Sequence, residues 1–408
     1  MKADSRTELR LANWASKTQP SLLQEMLTSA SRPGIISLAL GMPDENLFPT
    51  AEFARAAQRV LATDPHALQY GPHFQPLKAQ VVELMKRRGV DCREQQVFIT
   101  AGAQQGMCLL ARILLESGGE VIAEELIYNG FQQVIEPFQP RVLTVPTCIE
   151  TGMDVDAVEA HLKSGARPAF IYVIGEGHNP LSVSLSEDKR ARLVELAVRY
   201  GVPIIEDDAY GFLQYQGELK PPLRALDEQH VLYVGSFSKI VAPALRIGWL
   251  VVPEALIKPL SIVKESTDIN STTFPQRVLS AYLETGQLAD HIKHLCYQYA
   301  LRRDTMLAAL HEHFPEDSRW TTPSSGMFVW LENENIDAAE LLNTALSTAE
   351  VAFLPGYVFS VAPLRLKPQS MRLNFSYCSP EKIREGVARL GRLMALPQKS
   401  EIIVGAGK

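Results

Sequence analysis

The sequence predicts an α/β protein, with a large domain built on a mostly parallel sheet flanked by helices and a smaller α+β domain behind it. Three observations carry this. Short runs that are apolar on nearly every residue, such as 169–174 (AFIYVI) and 247–252 (IGWLVV), alternate with segments of helical periodicity. Strands of that kind are buried on both faces, as they are in a parallel sheet sandwiched by helices. The texture changes after Thr273, where a long helical pattern leads into single strands alternating with helices. Finally, 408 residues exceed the roughly 100–200 that one domain usually holds.

In chain order, the first 45 residues are irregular, with a helix expected near 22–29. Strands are expected at 96–100 (QVFIT), 142–145, 169–174, 202–206 (VPIIE), 231–234 and 247–252. A helical run at 106–115 follows the first of these, and Ser186 caps a helix reaching Tyr200, with Leu193 and Leu196 on its apolar stripe. One long helix is expected from about 275 to 314, with Leu288, Ile292, Leu295 and Tyr299 on one stripe. A strand at 327–331, a helix at 338–347, a strand at 371–375 and a helix at 381–394 close the chain. The expected division is an arm at 1–45, a large domain at 46–285 and a small domain at 286–408.

Composition narrows the function. A hydrophobic fraction of 46% and a charged fraction of 21% argue against disorder, collagen-like sequence and a coiled-coil rod. Lys and Arg number 40 against 46 Asp and Glu, a net charge of −6, so no basic excess points to nucleic acid. The five cysteines (Cys92, Cys108, Cys148, Cys296 and Cys378) are scattered, odd in number and form no CxxC. That pattern fits a reducing compartment rather than a disulfide scaffold. The N-terminus has no apolar run after its first charges, and no stretch approaches the ~18 apolar residues of a membrane span. A soluble, cytoplasmic protein without a membrane partner is the expectation.

Lys239 is the most informative residue. It follows VLYVGSFS, a buried strand ending in small hydroxyl residues, and so points into the crevice where α/β folds bind ligands. By itself it reads more readily as a surface lysine at a strand end. Ser236, Ser238 and Arg246 stand close by in sequence, and hydroxyls, a guanidinium and an amine together suit a phosphate ester beside a nucleophile. Asp207 and Asp208 end another apolar strand, where carboxylates are costly unless a cation or strong donors meet them. A pyridinium nitrogen would suit one of them, with Tyr210 within reach of the same ligand; a loop simply beginning there is the plainer alternative.

Thr100-Ala-Gly-Ala-Gln-Gln105 lies at a strand-to-helix turn, where Ala103 and Gln104 expose N–H groups at the positive end of a helix. Many ordinary turns share that composition. Asn179 in Asn179-Pro180 could donate to a ligand oxygen or merely start a turn. Tyr128 could stack on a flat ring or pack in its loop, and Arg372 could bind an anion or face solvent from its strand. His291, His294, His311 and His313 lack further suitably spaced ligands and read as helix surface, so no metal site is expected.

Taken in order, these pieces resemble the fold type I pyridoxal-phosphate enzymes, specifically the class I/II aminotransferases near the kynurenine and 2-aminoadipate branch. The shared signatures are the Gly41-x-Pro43 segment with Phe48-Pro49, LQYG at 68–71, TAGAQQ, EDDAY, and GSFSK followed by RIGW. The resemblance implies pyridoxal 5'-phosphate held by Lys239 as an internal aldimine, with Asp207 on the pyridine nitrogen and Tyr210 with Asn179 on the 3'-oxygen. It places Ala103, Gln104, Ser236, Ser238 and Arg246 around the phosphate, Tyr128 on the ring and Arg372 on the substrate α-carboxylate. Gly41 lines the substrate pocket, and Tyr70 reaches the phosphate of a neighbouring subunit in a homodimer. The implied reaction moves an amine from an amino acid to a 2-oxo acid, as in amino acid biosynthesis.

One segment departs from the family pattern. Family members usually read Asn-Pro-Thr-Gly, whereas this chain has Gly175-Glu-Gly-His-Asn179-Pro180-Leu181-Ser182. A side chain at Ser182, where glycine permits positive φ, implies a different loop path. That leaves a decarboxylase, racemase or C–S/β-lyase as the alternative outcome. A non-catalytic sensor of this fold would need a basic winged-helix preface, for which the chain before Ile36 is short.

Overall fold

The computed structural model describes residues 11–12, 14–17, 32–361 and 369–395, so the helix expected near 22–29 lies outside the described residues. Among these residues, seven strands form one sheet. Their order is Val97–Thr100, Gly248–Val251, Val231–Ser236, Ile204–Asp208, Ile171–Val173, Glu120–Glu124 and Arg141–Val145. All share one direction except Gly248–Val251, which is antiparallel to both neighbours. Six carboxyl ends and the start of the antiparallel strand therefore meet at one edge, where open α/β sheets bind ligands.

The continuous apolar runs arise because consecutive residues serve different faces. Ile205 packs with Leu109 and Phe131 on one side, while Ile204 packs with Val158 and Leu193 on the other. Helices Ala103–Leu114 and Asn129–Ile135 cover the first face, and Val155–Lys163 and Glu187–Tyr200 cover the second. Glu120–Glu124 (EVIAE) is a strand the sequence pattern does not reveal, since charge at both ends masks an apolar centre.

A second sheet has four antiparallel strands in the order Arg319–Trp320, Phe328–Glu332, Ser370–Asn374, Leu354–Pro355. Two corrections apply around it. The single helix expected from 275 to 314 is two, Thr273–Leu283 and Leu288–His313, broken where Gly286 takes φ +74. The helix expected at 338–347 is regular over Ala338–Thr344 and continues as a π-turn through Ala345–Ala349. Ile36–Ser37 pairs in parallel with Val351–Ala352, and Asn374 N donates to Leu38 O at 2.7 Å. The segment around Gly41 is thereby laid against the second sheet, where Asp44 pairs with Arg302 and Ser376 Oγ donates to Met42 O at 2.8 Å. No described helix is long and apolar enough to cross a membrane.

Candidate active site

A cavity of about 260 Å³ opens at the carboxyl edge of the large sheet. Its walls gather Gly41, Ala103, Gln104, Tyr128, Asn179, Asp207, Tyr210, Ser236, Ser238, Lys239, Arg246 and Arg372, which come from eight separate stretches of sequence. Every site residue expected from the sequence except Tyr70 is there.

Strand geometry selects Asp207 over its neighbours. Side chains alternate across a sheet, so Glu206 and Asp208 share one face and Asp207 has the other. Asp208 is consumed by structure: it pairs with buried Arg88 at 2.9 Å and accepts from Tyr233 Oη at 2.8 Å. Glu206 accepts from the backbone N–H groups of Leu223 and Arg224 at 2.7 and 3.0 Å. Asp207 faces the cavity, where one oxygen accepts from Tyr172 Oη at 2.9 Å and the other, Oδ1, is buried without a partner. Burial pushes its pKa up to about 6, against the pull of the Tyr172 hydrogen bond, with Asp208 adding to the rise. A lone buried carboxylate oxygen of this kind calls for an N–H cation.

Lys239 lies three residues past the strand Val231–Ser236, and its Nζ donates to Gly41 O at 2.7 Å. Burial, with Arg372 and Arg246 adding like charge, lowers its pKa from 10.5 to about 8. An amine so shifted is a nucleophile near neutral pH.

Beside it lies a cluster of hydrogen-bond donors. The helix Ala103–Leu114 starts after Gly102, whose φ of +83 turns the chain so that the first N–H groups face the cavity. Ser236 Oγ accepts from Ser238 N at 3.1 Å, which fixes both hydroxyl residues. Arg246, with φ +50, donates to Ala101 O at 3.2 Å and has no carboxylate partner among the described residues. Helix terminus, hydroxyls and guanidinium together suit a phosphate.

Arg372 is a strand residue, but not on a solvent face. It is 3% exposed, and its guanidinium carbon lies 3.9 and 4.6 Å from the ring centroids of Phe328 and Phe359. Nη1 donates to Asn179 Oδ1 at 2.6 Å and Nη2 to Ala39 O at 2.8 Å, while Nε is buried without a partner. Burial works against its charge, and no described carboxylate offsets it. Such a cation asks for an anionic ligand. Tyr210 adjoins Asn179, and burial raises its pKa, so it keeps its hydroxyl proton.

Tyr70 stands apart. It is 87% exposed and does not line the cavity. The loop path inferred at Ser182 is corrected: the residue takes φ +51 despite its side chain, and its Oγ accepts from Phe328 N at 3.1 Å, which compensates the backbone. Sequence reasoning missed Tyr172, Arg88, Phe328 and Phe359, because only the sheet register and the packing of the second sheet bring them to the site. The described residues contain no cluster of groups able to hold a metal ion.

An amine of lowered pKa, a cluster of anion donors, a lone carboxylate and a buried guanidinium line one cavity at the edge of this sheet, a chemistry suited to a phosphorylated pyridine and an amino acid. The chain belongs to the family "Aminotransferase class I and II", which matches residues 33–390. It is 37% identical over 380 residues to aromatic-amino-acid aminotransferase 1 of Thermococcus litoralis, spanning 91% of this chain and 90% of that protein. The kynurenine aminotransferase of Pyrococcus horikoshii, solved in complex with PMP, is similar with a TM-score of 0.88 at 36% identity, covering 94% of this chain and 96% of that one. The alpha-aminoadipate aminotransferase of Thermus thermophilus, complexed with N-(5'-phosphopyridoxyl)-L-leucine, gives 0.86 at 34%, covering 94% and 97%. The protein is therefore a fold type I, pyridoxal-phosphate-dependent aminotransferase that moves an amino group from an amino acid to a 2-oxo acid.

Two outcomes test the geometry. Covalent capture of pyridoxal phosphate by the apoprotein, trapped with borohydride and mapped by mass spectrometry, should mark Lys239. Its rate should rise as pH climbs through about 8 rather than 10.5, because the neutral amine attacks and is populated above its pKa. A trapped adduct on another lysine would overturn the assignment. Asp207→Asn should lower turnover by roughly 100-fold or more with melting little changed. Asp208→Asn should do the reverse, costing about 3–5 kcal/mol of stability by stranding buried Arg88, with much less effect on turnover per folded molecule. Thermal unfolding and steady-state rates on the same samples separate the two.

Proposed function

We propose that Lys239 carries the cofactor and moves the proton at the substrate Cα, with Asp207 pairing with the pyridine nitrogen. The observation that carries this is the unpartnered Asp207 Oδ1 in the same cavity as a lysine of lowered pKa. Bound pyridoxal phosphate supplies the electron sink for a carbanion at Cα, and an ionised Asp207 keeps that sink strong. Asn179 and Tyr210 donate to the 3'-oxygen. Ala103, Gln104, Ser236, Ser238 and Arg246 hold the phosphate, and Tyr128 presents its ring to the pyridine. Arg372 grips the α-carboxylate of donor and acceptor in turn, which fixes the Cα–H bond relative to Lys239. Gly41, whose carbonyl accepts from Lys239, borders the substrate.

The cavity also bears on the donor. Among the described residues its charged lining groups are Asp207, Lys239, Arg246 and Arg372, and each already has a role. Leu40, Met42, Met107, Ile174, Phe328 and Phe359 add apolar surface beside them, which suits an apolar or aromatic side chain.

Two distinct sheets, the seven-stranded one within 97–251 and the four-stranded one within 319–374, support a large unit at 46–285, a small one at 286–408 and an arm before them. We assign a homodimer with shared sites. Leu68, Tyr70 and Ile269 are 78%, 87% and 72% exposed. They lie on loops joined by Asn270 Nδ2 to Gly71 O at 2.8 Å and Thr273 Oγ1 to Gln69 O at 3.3 Å. An apolar patch of this kind is suited to a second copy, whose phosphate Tyr70 would reach. Five free cysteines fit the reducing cytoplasm.

Arg372→Lys should raise KM for amino acid and oxo acid alike and lower kcat, with the cofactor still bound. A charge-assisted bond is worth about 1.5–3 kcal/mol, so binding should weaken by about one to two orders of magnitude. An effect on one substrate alone would mean the arginine reads a side chain. For the dimer, Tyr70→Phe chains co-expressed with Lys239→Ala chains should form mixed dimers in which one site carries both lesions and the other neither. One site of each mixed dimer should then turn over at the wild-type rate; a rate no higher than that of a Tyr70→Phe site excludes sharing.

A further inference from the structure

The segment that departs from the family pattern buries charge. Glu176 and His178 are each 2% exposed and Asn179 is 5% exposed. Glu176 pairs with Arg190 at the base of the loop. His178 Nε2 lies 3.1 Å from Glu124 Oε2, and Glu124 Oε1 accepts from Thr147 Oγ1 at 2.8 Å. An apolar pair of the same volume would fill this space without the desolvation that a carboxylate and an imidazole incur. What the polar pair adds is direction.

The ring of His178 is fixed at both ends. Its Nδ1 accepts from Leu181 N at 3.5 Å, so the ring proton sits on Nε2 and faces Glu124. Its backbone N donates to Val183 O at 2.9 Å. The next residue is Asn179, whose Oδ1 is held by Arg372, so that its NH2 faces Tyr210 and the cavity. Asn179 thus joins the group that grips the substrate carboxylate to the group that donates to the cofactor, and its orientation matters to both.

We propose that the His178–Glu124 pair is a positioning device for Asn179: it pins the backbone immediately before Asn179 so that the amide meets Arg372 with its oxygen and the cofactor 3'-oxygen with its nitrogen. This rests on the cofactor roles assigned above. His178 acts through Asn179 and touches neither substrate nor cofactor, so supports of this kind are judged by what they do to the group they hold.

The test is spectroscopic and uses the loaded enzyme. Deprotonation of the bound cofactor leaves negative charge on its 3'-oxygen, which a donor there stabilises. Losing that donor raises the pH midpoint of the absorbance change. Asn179→Ala sets the full size of the effect. His178→Ala should shift the midpoint in the same direction by about half to one pH unit, as expected for one weakened hydrogen bond, and raise KM for both substrates about 3–10-fold. His178→Gln, which keeps a donor toward Glu124, should restore both. The double variant with Asn179→Ala should show no further shift, because the two act in series. Thr147→Val, a milder loosening of Glu124, should move the midpoint the same way by less, and it serves if His178→Ala does not fold. A midpoint equal to wild type in the folded His178→Ala or Thr147→Val protein, with only a lowered Tm, would overturn the proposal, as would additive shifts in the double variant. Wild-type protein that carries no adduct on Lys239 would instead sink the cofactor roles themselves.

Discussion

Three consecutive carboxylates, Glu206, Asp207 and Asp208, are buried in the central strand, and the strand's two-residue repeat determines what each becomes. The two that share a face are answered by the protein, through backbone N–H groups for Glu206 and through Arg88 and Tyr233 for Asp208. Burial, with repulsion from Asp208 adding to it, still pushes Glu206 up to about 7. The third is left half-answered. Tyr172 pairs with Ile205 in register, which puts its side chain on the Asp207 face, and Tyr172 in turn is stacked against Phe131 at 3.6 Å. The sheet therefore fixes Asp207 to within one hydrogen bond and leaves its second oxygen for a ligand. Preorganised charge of this sort is effective because nothing needs to move when the ligand arrives.

The rest of the cavity follows from that one carboxylate. Among the described residues, its charged walls hold three cations, Lys239, Arg246 and Arg372, against one anion. A pocket so unbalanced repels cationic ligands and favours a ligand bearing a phosphate and a carboxylate with one N–H cation to face Asp207. The same excess works on Lys239, since burial and two guanidiniums bring its amine toward neutrality where an amine is reactive. Burial lowers the pKa of Arg372 as well, to about 9, but two aromatic rings and two oxygen acceptors surround it, and a guanidinium tolerates such a desolvated, stacked setting better than an ammonium does.

Much of this was legible in the sequence, and the reason is local. Lys239, Asp207, Asn179 and Ala103 each sit just past or at the end of a strand, and strand ends can be read from apolar runs. The partners could not be read that way. Arg88 and Asp208 are 120 residues apart, and Arg372 reaches Asn179 across 193, so only the packed sheets bring them together. Where sequence reasoning erred, it applied a sound local rule that tertiary contacts overrode. Periodicity ran the two helices Thr273–Leu283 and Leu288–His313 together because the stripe continues across Gly286. The glycine rule at Ser182 gave the wrong path because a hydrogen bond to Phe328 N supports the backbone that glycine would otherwise supply.

That last exception belongs to a pattern. Five described non-glycine residues adopt positive φ: Gln139, Ser182, Arg246, Ile269 and Glu350. Gln139, Arg246, Ile269 and Glu350 each follow the last residue of a helix or short helical turn, where positive φ is common. Among these five, Ser182 alone ends no helix; it closes the loop that carries Asn179. Arg246 lines the cavity, and Ile269 is exposed beside the loop of Tyr70. A β-branched residue such as isoleucine suits this conformation least of all, and each such residue costs on the order of 1–3 kcal/mol unless its surroundings hold it. Ser182 is held by the hydrogen bond from Phe328 N, so the loop that carries Asn179 is tied to the second sheet, whose strand Ser370–Asn374 supplies Arg372.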